Sequence, residues 1–239
     1  MCIRDRGGGA RRRAGAHGGG AGGGHAPRVR TADHAHPPGR TMTTQGALAR
    51  LIRSSARRTA SAEAERCDLC AAPVPDEHAH LYDLSEEQVA CACGACSVLF
   101  ADGSAGDGRY RLVPRRRIRL PKVDTEVLGV PVGLVFFVPR ADGTVTAEGP
   151  SPAGAMRWEV DATAWRRLVA ARPELASLQP DVEALLVNTV HGLDHHWIVP
   201  VDDCFRMVAL VRREWRGLSG GGRVWPAVER FFADLTERP

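Results

Sequence analysis

The stretch Cys67-Asp-Leu-Cys70, followed after twenty residues by Cys91-Ala-Cys93-Gly-Ala-Cys96, presents two paired-thiol knuckles. Four thiols in two close pairs, with a polar, His-bearing segment between them, have the spacing by which a ribbon offers four sulfurs to one tetrahedral Zn²⁺. Cys67, Cys70, Cys93 and Cys96 are therefore the expected metal ligands. Alternatives lie close by. Gln88 to Cys93 reads as a strand, so alternation sets Val89, Cys91 and Cys93 on one face, which leaves Cys91 as a buried residue first, or as a spare thiol or a ligand in place of Cys93. His78 and His80, in the segment between the knuckles, are alternatives for a single position. An iron-sulfur cluster also takes four thiolates, so the residue types leave iron open beside zinc.

Outward from the knuckles, charge divides the chain. Residues 1–60 hold twelve arginines against Asp5 and Asp33, which is +10 of a chain total of +4 and leaves −6 on residues 61–239. Residues 1–41 are rich in Gly, Ala and Arg and are expected to be a disordered extension, artefactual or untranslated, with Met42 as the start. A chain begun there carries −2, because eight of the arginines and both acids are lost. Residues 42–60 read as a basic lead-in helix, with Leu48, Leu51 and Ile52 on one side of the wheel. An acidic body disfavours nucleic acid, whose binding needs clustered cations.

Five of the seven cysteines fall within thirty residues, which suits a thiolate metal site and a cytoplasmic address better than a disulfide framework. The longest apolar run, Val127 to Val138, is interrupted by Gly and Pro and is too short for a membrane span of roughly 20 residues.

Beyond the four-cysteine, zinc-ribbon-like module, read as residues 61–101, periodicity predicts an α+β domain over 109–239 with antiparallel strands and C-terminal helices. Arg109 to Val113 and Arg117 to Leu120 alternate like short strands, and the cluster Arg115, Arg116, Arg117 and Arg119 reads as a solvated face. Val132 to Val138 is a continuous apolar strand. Ala141-Asp-Gly143 then signals a hairpin into Thr144 to Glu148, after which Pro150 to Ala155 reads as loop. Asp161 is placed to cap a helix through Trp165 and Leu168 that ends before Pro173. Val182 to Asn188 and His196 to Pro200 form the next strands. Asp202 or Asp203 is the expected cap of a helix carrying Cys204 on its apolar stripe, and a last helix is expected from Pro226.

Two further sites stand out. His191, Asp194, His195 and His196 are dense enough in imidazole and carboxylate to suggest a metal-dependent enzyme, although a polar hairpin loop beside a helix cap explains the same residues without chemistry and is the favoured reading. The cluster Arg115 to Arg119 suggests a zinc-ribbon nucleic-acid binder. A closed four-thiolate shell has no open position for substrate, so the sequence points to a zinc-binding accessory protein rather than an enzyme.

The chain also resembles an uncharacterised bacterial family, mainly actinobacterial, whose genes often lie beside nickel-iron hydrogenase genes. The resemblance rests on Cys67-Asp-Leu-Cys70-Ala-Ala-Pro73, His78-Ala-His-Leu-Tyr-Asp-Leu84, Cys91-Ala-Cys-Gly-Ala-Cys-Ser-Val-Leu-Phe100 and Arg109-Tyr-Arg-Leu-Val113. It continues through Trp197-Ile-Val-Pro200, Asp203-Cys204, Leu210-Val-Arg212, Trp215-Arg-Gly-Leu-Ser-Gly220, Trp225 and Phe231-Phe232. It implies a protein partner, hydrogenase subunits or maturation factors among the candidates, and no settled activity.

Overall fold

Asp142 and Gly143 form the tight turn of a hairpin in the main sheet. Gly143 takes a φ of 85°, which a side chain would resist, while Asp142 Oδ1 accepts from the backbone N–H of Thr144 at 2.9 Å. The computed structural model describes residues 65–103, 105–217 and 220–237, so the expectations for residues 1–41 and for the helix at 42–60 lie outside the described residues. The turn joins β5 (Leu134–Pro139) to β6 (Val145–Ser151). Both belong to a six-stranded sheet, in the order β4 (Ile118–Arg119), β9 (His195–Pro200), β8 (Glu183–Asn188), β5, β6 and β7 (Gly154–Glu159), in which every neighbouring pair is antiparallel. Strand β7 corrects the sequence reading of Pro150 to Ala155 as loop. β6 runs on to Ser151, and a second tight turn returns the chain as an edge strand whose side chains are largely exposed, so it lacks the apolar run that would mark it.

The central strands are buried on both faces, and alternate residues feed two separate cores. Phe136, Leu186 and Trp197 face α3 (Val201–Glu214) and α4 (Gly221–Glu237). Phe137, Leu185 and Ile198 face α2 (Ala162–Ala171) and the short helical turn Pro173–Ser177. Asp161 caps α2 as expected, its Oδ1 accepting from Ala164 N–H at 2.7 Å. The cap of α3 is Pro200, earlier in the chain than expected, which puts Asp202 and Asp203 inside the first turn, where a carboxylate favours the positive end of the helix. Cys204 is fully buried on the apolar stripe. α4 begins at Gly221, ahead of Pro226, because Gly220 and Gly221 adopt positive φ and turn the chain directly into it.

The knuckles belong to a second, smaller sheet, β2 (Gln88–Ala92), β1 (Ala79–Asp83) and β3 (Tyr110–Leu112), also antiparallel. Tyr82 and Val113 on this sheet pack with Val182 and Val201, at the ends of β8 and β9. The architecture is α+β, with the cysteine cluster ahead of the larger sheet.

The arginine cluster is a solvated face only in part: Arg115 and Arg119 are exposed, whereas Arg116 and Arg117 are held. Arg116 grips the fully buried Glu183 through two bonds of 2.6 Å, and Arg117 Nε donates to the fully buried Asp203 at 2.6 Å. A buried carboxylate must be paired to stay charged, so these arginines are held by the fold rather than free to meet phosphate.

Candidate metal centre

The first knuckle is a tight turn. Ala71 N–H donates to Cys67 O at 2.8 Å, Ala71 takes a φ of 60°, and Cys67 N–H donates to Ala72 O at 2.8 Å. The second is the start of α1 (Gly94–Val98), capped by Cys93, whose sulfur accepts from Cys96 N–H at 3.5 Å. Asp68 ties one knuckle to the strand that feeds the other. Its Oδ2 accepts from Cys91 N–H at 2.8 Å, and its own N–H donates to Cys91 O at 2.8 Å. Sequence reasoning missed Asp68, and its position between the first two cysteines was the available signal.

The two knuckles bring the sulfurs of Cys67, Cys70, Cys93 and Cys96 within 4.8 Å of one another, a group that could hold a metal ion. Cys70 Sγ and Cys93 Sγ are 3.7 Å apart. A tetrahedral ion with bonds of about 2.3 Å to sulfur separates its ligands by about 3.8 Å, so the donor set fits a four-coordinate soft or borderline cation. Cys67 is buried and Cys70 exposed, with Cys93 and Cys96 between them, so the cluster lies at the surface.

The thiols perturb one another. Burial works against ionising Cys67, but backbone N–H groups of Cys93, Cys70 and Leu69 reach its sulfur and bring it down to about 6. Cys96 is pushed up to about 12 by the adjoining thiols of Cys70 and Cys93, because a further negative charge beside a thiolate is unfavourable. Four thiolates this close need a cation between them. Supplying one would release protons as it bound.

The three alternative ligands come together elsewhere. Cys91 Sγ and the ring nitrogens of His78 and His80 form a separate group, also within 4.8 Å. The register explains it: Cys91 is the cross-strand partner of His80, and β2 ends at Ala92, so Cys93 caps a helix instead of continuing the alternation. His80 Nδ1 also lies 2.7 Å from Asp202 Oδ2, linking the small sheet to the first turn of α3.

The loop His191 to His196 does not assemble as a ligand set among the described residues. His191 packs edge-on to Trp225, His195 stacks on Phe232, and the buried His196 has Nε2 2.9 Å from Asp194 Oδ1. Burial lowers the pKa of both His195 and His196, which keeps them neutral packing groups.

Among the described residues no helix is long and apolar enough to cross a membrane. A family model described as a family of unknown function, DUF5947, matches residues 66–239, a span that takes in both knuckles and the whole of the larger sheet. No curated protein and no solved structure matches the chain.

Proposed function

We propose that this chain, which belongs to the DUF5947 family of unknown function, is a zinc-binding accessory protein whose Cys67, Cys70, Cys93 and Cys96 hold one structural Zn²⁺. The observation that carries the reading is the convergence of four sulfurs within 4.8 Å from two knuckles of different local structure. Two thiol pairs framed by a turn and a capped helix suit zinc, and a shell filled by four thiolates has no position for substrate. Bound there, the ion would supply the cross-link that joins the turn at Cys67–Cys70 to α1.

The surroundings support a protein partner. Leu69, Val98 and Leu99 are exposed apolar residues set in or beside the knuckles, with Val98 at 72% and Leu99 at 61% exposure. Residues 65–108 carry nine acids against Arg66 alone, a surface that repels nucleic acid and favours a basic, partly apolar partner. In this reading the partner is a metalloenzyme under assembly or a maturation factor. The resemblance to a family encoded beside nickel-iron hydrogenase genes supports the hydrogenase as that enzyme, in the cytoplasm.

Elemental analysis with optical spectroscopy on the full chain tests the site. Colourless protein with one zinc per chain, lost in Cys70→Ser and Cys96→Ser, is the expected result. Brown protein with iron would replace zinc by a redox cluster, and wild-type levels of zinc in Cys70→Ser would overturn the ligand assignment. In a host with a nickel-iron hydrogenase, deleting the gene should lower mature hydrogenase, with rescue by the wild type and not by Cys70→Ser. Unchanged hydrogenase levels would remove that part of the reading.

A further inference from the structure

A cavity of about 230 Å³ lies between the β5–β6–β7 end of the main sheet and the helices α3 and α4. Three of the chain's five tryptophans, Trp158, Trp215 and Trp225, line it, with Met156 at its exposed side and no charged side chain in the wall. Backbone without side chains helps make the room. A Cβ on Gly149 would stand 3.0 Å from the Trp158 ring, so the indole packs this close to the strand because residue 149 is glycine.

The cavity adjoins a polar group that the fold leaves unused. Asn188 is fully buried; its Oδ1 accepts from Val190 N–H at 3.1 Å, while Nδ2 is buried without a hydrogen-bond partner. Leu134, the cross-strand partner of Asn188, and Val190, to which it is bonded, both line the cavity. On the same sheet face His195 Nδ1 and Trp197 Nε1 are also buried and unpartnered. Leaving a buried donor unsatisfied costs about 1–3 kcal/mol, so the Asn188 amide, next to two residues of the cavity wall, marks a place for an acceptor.

We infer that this cavity binds a small uncharged molecule with a flat aromatic body and one hydrogen-bond acceptor. The body stacks among the three indoles and the acceptor takes the Asn188 amide proton. The absence of charge in the wall excludes carboxylates and phosphates, whose desolvation would go uncompensated. The volume limits the body to about one or two rings.

Acetophenone and ethylbenzene, alike in shape but differing by the carbonyl, are suitable probes on the full-length, zinc-loaded protein. Calorimetry should give acetophenone a Kd on the order of 100 µM, in keeping with its small size, and ethylbenzene about tenfold weaker. Intermolecular NOEs should run from acetophenone to the indoles of Trp158, Trp215 or Trp225. Asn188→Leu should bring the two probes to equal affinity. Met156→Trp, at an exposed position that tolerates bulk, should weaken both at least tenfold while the thermal midpoint stays within a few degrees. Failure of both probes to bind at several millimolar, NOEs to other residues only, or wild-type affinity in Met156→Trp would overturn the site. Equal affinities for the wild type would overturn the role of Asn188.

Discussion

The two sheets are held together by different means. In the larger, the neighbours Phe136 and Phe137 are both fully buried and point into opposite cores, so every central strand is clamped between helices on both faces. In the smaller, the buried apolar set behind the knuckles is Leu81, Ala92 and Phe100, beside the Tyr82 and Val113 contacts. Ordering a residue costs about 1–2 kcal/mol of backbone entropy, and segments below about 40 residues seldom bury enough to offset it without a metal or cross-link. The large sheet is stabilised by burial. The small one relies on specific links: four sulfurs, the Asp68 clasp and the Asp83–Arg109 pair, in which Arg109 holds the Asp83 carboxyl well below the usual carboxylate range.

Removing the metal should separate the two most sharply. With one zinc per chain bound, chelation or Cys70→Ser is expected to speed hydrogen exchange of the β1 and β2 amides by about 100-fold or more, while β5 and β8 amides keep their protection. Equal loss in both sheets would show that they unfold as one unit, and the comparison would fail.

Phe137→Ala attacks the other side. Truncating a fully buried Phe should cost about 3–5 kcal/mol in urea unfolding, with zinc content unchanged. Metal loss in this variant would mean that the knuckles depend on the large core. A smaller effect is expected from Arg117→Ala. The fully buried Asp203 keeps Arg206 Nη1 at 2.7 Å, so the loss should be about 2 kcal/mol, below the roughly 3–5 kcal/mol of a charge left wholly unpaired. An unchanged urea midpoint would return Arg117 to the solvated face that the spacing of the cluster suggests.

What was legible in the sequence follows the same division. Spacing alone brings out Cys67, Cys70, Cys93 and Cys96, because thiol pairs are rare and their geometry is local. The apolar runs at Val132–Val138 and Val182–Asn188 and the Asp-Gly turn identify the central strands, which are buried on both faces. The edge strand β7 was not legible, since its exposed residues carry no pattern, nor was the Arg116–Glu183 pair, whose partners are 67 residues apart. The tryptophan-lined cavity draws on separate segments from Val132 to Trp225, and only the fold brings them together.

Acid should distinguish the regions by the smallest effect. His196 is 1% exposed, and burial lowers its pKa, aided by Lys122 and Arg172, with Asp194 acting the other way. His195 is lowered by burial and Arg119, against Asp194. A base whose folded pKa lies below its unfolded value of about 6.5 contributes nothing to pH dependence while both states are neutral. As pH falls below about 6.5 the unfolded chain binds the proton and the native chain does not, so stability declines until the folded pKa is reached. The large sheet should therefore lose about 1 kcal/mol between about pH 7 and 5, in urea titrations of metal-free protein read at Trp197 and Trp165. His196→Gln should reduce that slope to the share of His195. Asp194→Asn should steepen it, because the carboxylate is what offsets the cost of protonating the buried ring. In zinc-loaded protein the same acid also protonates thiolates, so a steeper loss confined to β1 and β2 would belong to the metal and not to the histidines. A slope left unchanged in His196→Gln, metal-free, would assign the titration to His195 or to another group of the large sheet.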